Sequence, residues 1–441
     1  MKRILYTALC LLLYYSNAFS QAIVSTYAGN GTPGLINGDT AAARFNSPFG
    51  MCMDNSGNIY IADYGNHCIR MITPAGMVST LAGNGTAGYL DGPAATAKFA
   101  NPMNVCCDGT GAIYVSDFNN QRIRKISGGL VTTIAGTGVA GYADGPDSLA
   151  QFNYPRGIVA DAVGNIYIGD SWNHRIRKID LAGNVTTYAG GGTASGVGSV
   201  GALLDATDTA ARFYTPTGLG IDALGNIYVA DAYNHRIRKI DLLQQVTTIA
   251  GSGSTGPGNG GYSNGAALTS LLHTPTEVFS GASGTLYIGD TFNNRVRLLY
   301  NGNLSLIAGN GSTGYVNGVD SLAAFNYPRG IVTNTTGNVI YLSDYNNHAI
   351  RKITGVDVGI ETYDNFSFHI FPNPSGGTFI ISSDCEKPVS VQIFNSSGAL
   401  VTEETNYFPG SFINLIGYPP GVYFMLFRFE NDIVSQKLVI D

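Results

Sequence analysis

Arg156 and Arg329 occupy the same eight residues, FNYPRGIV, at two distant places in the chain. An arginine guanidinium presents a planar fork of donors that matches a carboxylate or a phosphate. Two of them in like surroundings are a candidate anion site. Three other patterns bear on chemistry. Gly29, Gly31 and Gly34 in AGNGTPG fit G-x-G-x-x-G, the spacing of a dinucleotide-phosphate turn. His67, His174, His235 and His348 each follow an asparagine, and imidazoles are zinc ligands. Asp63, Asp117, Asp170, Asp231, Asp290 and Asp344 end six similar segments, and would be candidate acids or bases if they converged.

Whether any of these groups meet depends on the elements that carry them. VSTYAG at 24 returns as VSTLAG at 78, VTTIAG at 131, VTTYAG at 185, VTTIAG at 246 and LSLIAG at 304. Each copy runs on through glycines, a proline, a glycine-rich turn and an aromatic-containing strand that ends in Asp. Four short strand signals fall in each copy. In the third they are Val131–Ala135, Gly157–Asp161, Asn165–Asp170 and Arg175–Ile179. Four-stranded repeats of roughly 40–60 residues read as propeller blades. The fold class is therefore all-β, a six-bladed β-propeller. The last copy stops after its third strand, Ala349–Ile353. Ile23–Tyr27 is expected to complete the sixth blade beside it, which removes two exposed edges.

The repeat reinterprets three of the four patterns. The glycine spacing recurs at Gly83, Gly136, Gly251 and Gly309, and Ser195 breaks it in the fourth copy. A dinucleotide turn opens one long helix in a βαβ unit, whereas strand signals flank every copy here. These glycines read as turn residues that accept positive φ. The histidines hold one position on equivalent third strands and cannot share an ion. With the neighbouring Asn and Asp they are expected to hydrogen-bond within or between blades. The repeated aspartates read as acceptors for backbone N–H groups. So do Asp54, Asp108, Asp161 and Asp222, which would line the axis only in an enzyme. His273 breaks the repeat before Thr274-Pro275 and points to a channel mouth. There is no G-x-S-x-G, H-E-x-x-H or Walker loop.

Columns that differ between blades are more informative. The residue after the repeated proline is Phe49, Met103, Arg156, Thr217, Thr276 and Arg329 in turn. It enters the innermost strand, so these six should ring one mouth of the channel. Blades three and six are opposite, so Arg156 and Arg329 should face each other. With Phe49 and Met103 nearby, they are candidates to hold an anionic or polar–apolar ligand. The competing expectation is that both pair with nearby acids or lie in solvent.

Composition narrows the class. Charged residues are 12%, against about 25% in typical domains, and Gly is 58 of 441. The net charge of −6, with no Lys/Arg block, makes nucleic acid an unexpected partner. Residues 1–20 read as a signal peptide: Lys2-Arg3, an apolar run from Ile4 to Tyr15, and Ala18-Phe19-Ser20 before Gln21. No transmembrane segment is expected in the mature chain. Cys52, Cys68, Cys106, Cys107 and Cys385 follow the leader. They read as small buried residues, with a Cys52–Cys106 bridge as an open possibility.

D-x-x-N-[HQN]-x-[IV]-R recurs six times. The unit resembles the NHL repeat, and the array from 23 to 354 looks like a six-bladed NHL propeller. The resemblance implies a fold and a binding role more than a reaction. After a linker at 355–365, residues 366–441 show alternating strands expected to form a small antiparallel β-sandwich. Phe371-Pro372-Asn373-Pro374, the Phe394–Gly398 turn and Gly421–Phe424 resemble the C-terminal sorting domain of the type IX secretion system. That implies the secretion machinery as a partner, passage through the periplasm and outer membrane, and a secreted or cell-surface protein. The functional expectation is a non-enzymatic module for a protein, peptide or glycan ligand, without a cofactor. The alternative is a propeller lyase or lactone hydrolase with a divalent metal and its site in the central channel.

Overall fold

The computed structural model describes residues 21–191, 201–281, 284–356, 369–382, 389–395, 400–408, 410–429 and 432–441. The expected signal peptide, Ser195, Cys385 and most of the expected linker lie outside the described residues. The chain divides into two compact units, the propeller and a C-terminal unit.

Six antiparallel sheets make the blades. Their innermost strands are Pro48–Met53, Pro102–Cys107, Pro155–Ala160, Pro216–Ile221, Glu277–Ser280 and Pro328–Thr333. The second strands, Ile59–Asp63 and its equivalents, are buried along almost their whole length, because a blade is covered on both faces by its neighbours. Ile23–Ala28 does pair with Ala349–Thr354, with Val24 opposite Ile353 and Ile23 opposite Thr354. The ring is thus closed by the first strand of the chain.

Each sheet has five strands rather than the four expected. The fifth is two residues long, such as Gly38–Asp39 beside Val78 and Met77. Two residues carry no alternation, so nothing in the sequence marks them as strand. The opening glycine motif lies in this crossing segment. Gly29 has φ 85° and Gly31 φ 88°, whereas Gly34 is not in the left-handed region. A Cβ on Gly29 would come within 2.8 Å of the His348 carbonyl, so close approach as well as conformation requires glycine there.

The D-x-x-N-[HQN]-x-[IV]-R motif is a buried hydrogen-bond network. In blade four Asp231 accepts from the Tyr214 N–H at 2.7 Å, from Asn234 at 2.7 Å and from Arg238 at 2.7 Å. Arg70, Arg124, Arg177, Arg238, Arg297 and Arg351 are all fully buried, and each is paired with its own repeat aspartate. The few charges of this chain are thus drawn partly into its core. Asp54, Asp108, Asp161 and Asp222 serve turns: Asp54 accepts from the Ser56 and Asn58 N–H groups and from the Tyr60 hydroxyl.

In the C-terminal unit, His369–Phe371, Thr378–Ser382 and Phe412–Asn414 form one sheet. The other runs Leu400–Tyr407, Val389–Asn395, Gly421–Phe429, Asp432–Ile440. Phe379 and Ile381 from the first share a core with Val391, Ile393, Met425 and Leu438 from the second, which is the expected sandwich.

Candidate functional site

A residue in the left-handed region precedes the repeated proline in every blade: Ser47, Asn101, Tyr154, Thr215, Thr274 and Tyr327. That residue turns the chain toward the axis. Its N–H is received by the preceding blade. His348 Nδ1 accepts from Ser47 at 3.0 Å, His67 from Asn101 at 3.1 Å, His174 from Thr215 at 3.0 Å and His235 from Thr274 at 3.0 Å. Gln121 and Asn294 do the same for Tyr154 and Tyr327 through their amide oxygens. The variable residue after each proline is therefore fixed by a staple between blades.

This staple needs an unprotonated Nδ1. Burial holds His67, His235 and His348 below the usual imidazole range. The unfolded chain then binds more protons than the folded one, so stability rises with pH. It is fully present above about pH 6.5 and is lost as pH falls below that toward the folded values. A pH series of melting temperatures should show this slope. His235→Gln, which copies the natural Gln121 staple, should make it shallower; an unaltered slope would refute the assignment for His235.

At the mouth, Arg329 lies with its guanidinium 4.4 Å from the Phe49 ring centroid and 4.8 Å from that of Tyr345. Arg156 lies 5.4 Å from that of Phe118. Phe49, Met103 and Phe118 form one buried cluster with Tyr64, Tyr154 and Tyr345 packed on it. The two cations sense each other across the axis. Burial pulls Arg329 down to about 10, the Arg156 charge adds to this, and burial also lowers Arg156. Among the described residues no carboxylate pairs with either guanidinium, and the Nε of each is buried without a hydrogen-bond partner. Acid partners, one half of the competing expectation, are thus absent among the described residues, while both arginines are part-exposed, so its other half, solvation, stands.

Arg156, Arg329, Phe49 and Met103 come together, but Thr217 and Thr276 contribute differently. Thr217 Oγ1 donates to the Ala230 and Pro275 carbonyls, and Thr276 Oγ1 lies 2.5 Å from Thr291 Oγ1. Both are buried with these bonds made. His273 packs against His235 and Phe292, with ring centroids at 5.7 and 5.3 Å, and its contacts are with these rings rather than with the arginines. Cys52 and Cys106 are free thiols, not a bridge.

Tyr64, Phe118 and Tyr345 were not singled out by the sequence reading. They follow the repeated Asp in blades one, two and six, where blades three, four and five have Ser171, Ala232 and Thr291. The mouth is thus aromatic on one half and small on the other.

One residue deeper, the inner strands carry Gly50, Asn104, Gly157, Gly218, Glu277 and Gly330. Asn104 and Glu277 belong to opposite blades, and Asn104 Nδ2 donates to Glu277 Oε2 at 3.1 Å. A side chain at Gly50 would run into the Asn104 amide, and one at Gly218 into the Glu277 carboxyl. Gly50 and Gly218 thus make room for one polar crossbar through the axis, whereas at Gly157 and Gly330 a Cβ would meet the backbone of the neighbouring inner strand. Burial pushes the Glu277 carboxyl up to about 8, opposed by the hydrogen bonds from the Asn104 amide and the Val278 N–H. Beyond it lies a cavity of about 190 Å³. Among the described residues, no three His, Cys, Asp or Glu side chains cluster as metal ligands would.

The NHL repeat model matches residues 45–70, 152–179, 213–240 and 325–353, and a secretion system C-terminal sorting domain matches 369–441. The chain is 29% identical over 283 residues to Protein SUPPRESSOR OF QUENCHING 1, chloroplastic, of Arabidopsis thaliana, covering 61% of this chain and 26% of that protein. It is 27% identical over 343 residues to NHL repeat-containing protein 2 of Gallus gallus, covering 69% and 46%. The chain thus spans less than half the length of these curated relatives. Among solved structures, a protein of unknown function from Bacteroides thetaiotaomicron superposes with a TM-score of 0.57 at 19% identity, covering 76% of each chain. An auxiliary nutrient binding protein from Bacteroides ovatus superposes with 0.56 at 17%, covering 76% and 77%. These likenesses show the propeller fold. Among the described residues no helix is long and apolar enough to cross a membrane.

Proposed function

We propose, for a chain that carries NHL repeats on a six-bladed propeller and a secretion-system sorting domain, that it is an exported, non-enzymatic binding module. Its ligand presents a carboxylate, phosphate or sulfate to Arg156 and Arg329. The observation that carries this reading is a contrast between arginines. Six repeat arginines are fully buried and all are paired with carboxylates. The two at the mouth have no carboxylate partner among the described residues, and each Nε is without a hydrogen bond. Two half-buried cations without counter-charges are costly to hold together, and local costs of this kind are retained where they serve function. The aromatic half of the mouth supplies a surface for an apolar or sugar body beside the anion.

The sorting domain leads to the type IX machinery, with the propeller delivered to the cell surface or released. A nutrient-binding role, stated for a similarly folded Bacteroides protein, is compatible with such a mouth, although that likeness carries the fold alone. The enzyme alternative loses its proposed carboxylates, because Asp54, Asp108, Asp161 and Asp222 are engaged by turn N–H groups. Glu277 opposite an amide does not make the set of unlike groups that a reaction needs.

The test is a glycan and peptide array on the exported protein, followed by calorimetry on each hit. A charge-assisted hydrogen bond contributes about 1.5–3 kcal/mol. The Arg156→Ala/Arg329→Ala double variant should therefore bind an anionic hit at least about 100-fold more weakly. Equal affinity, or hits confined to neutral ligands, would overturn the reading. A stoichiometric divalent ion in the purified protein, held near the axis, would favour the enzyme.

A further inference from the structure

Cys52 and Cys107 lie at the far ends of the innermost strands of blades one and two, Pro48–Met53 and Pro102–Cys107. Successive side chains of a strand point to opposite faces. Cys52 enters the core between blades one and two, with Ala62, Val105 and Val115, and Cys107 packs against that same core. Cys106 holds the column of Cys52, as their pairing with Tyr114 and Tyr60 shows. It therefore faces the next core, with Tyr114 and Ile158. Cys52 and Cys106 point the same way around the ring and never toward each other. The thiol that faces Cys52 is Cys107.

The repeat shows how closely they approach. Between blades four and five, Gly220 holds the column of Cys52 and Ser280 that of Cys107. A Cβ on Gly220 would lie 3.2 Å from the Ser280 N. The same neighbour relation sets the Cβ of Cys52 beside the Cys107 backbone, an approach that suits the Cβ···Cβ span of about 3.5–4.5 Å in a disulfide. The side chains already form a chain of hydrogen bonds. The Cys52 thiol donates to Cys107 Sγ, and Cys107 Sγ donates to the Met53 carbonyl at 3.1 Å.

We propose that Cys52 and Cys107 are a cross-linking pair, oxidised by the disulfide of a thiol–disulfide oxidoreductase to a bond that ties blade one to blade two. A chain with a secretion-system sorting domain meets such oxidants outside the cytosol. Cys107 is part-exposed and lines the cavity beyond the crossbar, whereas Cys52 is buried, so an external disulfide reaches Cys107 first. The hydrogen bond from Cys52 holds the Cys107 thiol down, and burial holds that of Cys52 well up, which makes Cys107 the readier thiolate. Cys107 attacks one sulfur of the oxidant's disulfide, forming a mixed disulfide and releasing one oxidant thiol. Cys52 then attacks Cys107 Sγ and displaces the second. Two electrons pass to the oxidant, and the protons of Cys52 and Cys107 end on its two sulfurs. The new bond encloses Ile59–Asp63, Cys68–Ile72 and Met77–Ala82, the three outer strands of blade one that complete its fold. Closing so long a loop restricts the unfolded chain, so the oxidised protein should melt about 5 °C or more above the reduced one.

In the test, the full chain is reduced, freed of reductant and exposed to oxidised glutathione. Intact mass and mapping of proteolytic fragments then read the product. The expected result is a protein lighter by two hydrogens, one cross-linked fragment pair holding Cys52 and Cys107, and the raised melting temperature. Cys52→Ser should stop at the intermediate, with glutathione held on Cys107, and Cys107→Ser should take none at Cys52. An unchanged mass, a link between any other pair, glutathione on Cys52 but not on Cys107 in these variants, or equal melting temperatures would overturn the proposal. The cross-link is mapped on the unaltered protein and does not depend on either variant folding. The arginine mouth plays no part in it, so either proposal can fail alone.

Discussion

Removal of residues 21–30 is expected to lower the melting temperature of the propeller by about 10 °C or more. Ile23–Ala28 is the fourth strand of blade six, paired along its length with Ala349–Thr354 and flanked outside by Gly318–Val319. Val24 and Ala28 are buried at 1% exposure each. Losing the strand uncovers the core beneath it and leaves Ala349–Thr354 as a bare edge. It also cancels the Asp320 N–H bond to Ala22, at 2.6 Å, and the Gly29 N–H bond to Thr40, at 3.0 Å. Buried valine is worth about 1.5–3 kcal/mol, and each lost hydrogen bond about 0.5–1.5 kcal/mol. The sum is on the order of 5 kcal/mol, and each kcal/mol moves the midpoint of a domain this large by about 2–4 °C. Val24→Asp tests the same seam without shortening the chain. A melting temperature unchanged in both proteins would show that the ring does not depend on this closure.

The second large effect is expected at the buried ion pairs, and it should differ between blades. In blade five, Asp290 is the sole carboxylate on Arg297, whose other side-chain partner is Asn264. In blade four, Arg238 has Asp205 as well as Asp231. Asp290→Ala leaves a fully buried cation without a counter-charge and orphans the His273 N–H, while Asn293 keeps only its bond to the Gly261 carbonyl. Breaking a buried pair in this way costs about 3–5 kcal/mol. Asp290→Ala should fall at the upper end, and Asp231→Ala at the lower, because Asp205 retains half of the compensation. Denaturant unfolding of the two variants checks the order. Equal costs would mean that the half-exposed Asp205 contributes nothing.

The blade count, the closing strand and the structural roles of the repeated His, Asn and Asp were legible because each is a column that recurs six times. The outermost two-residue strands were not, since they are too short to alternate. The repeat arginines were legible as a motif but not as buried. That burial depends on carbonyls and on an Asp or Asn side chain from the crossing segment, some 26 to 35 residues away in the chain. At the mouth, the column after the proline located Arg156 and Arg329, but position did not reveal that Thr217 and Thr276 spend their hydroxyls on neighbouring strands and a neighbouring hydroxyl. Asn104 and Glu277 stand one residue further on, as the two exceptions among four glycines. The signal was present in the departures from glycine. Its meaning needed the close approach of strands at the axis, which only the folded ring supplies.

The polar crossbar also decides how cargo moves. Because Asn104 reaches Glu277 through the middle of the ring, the hole in this propeller is not a passage. On the proposed reading, a ligand at the arginines would enter and leave by one face alone. Its residence time is then governed by whatever covers that one face.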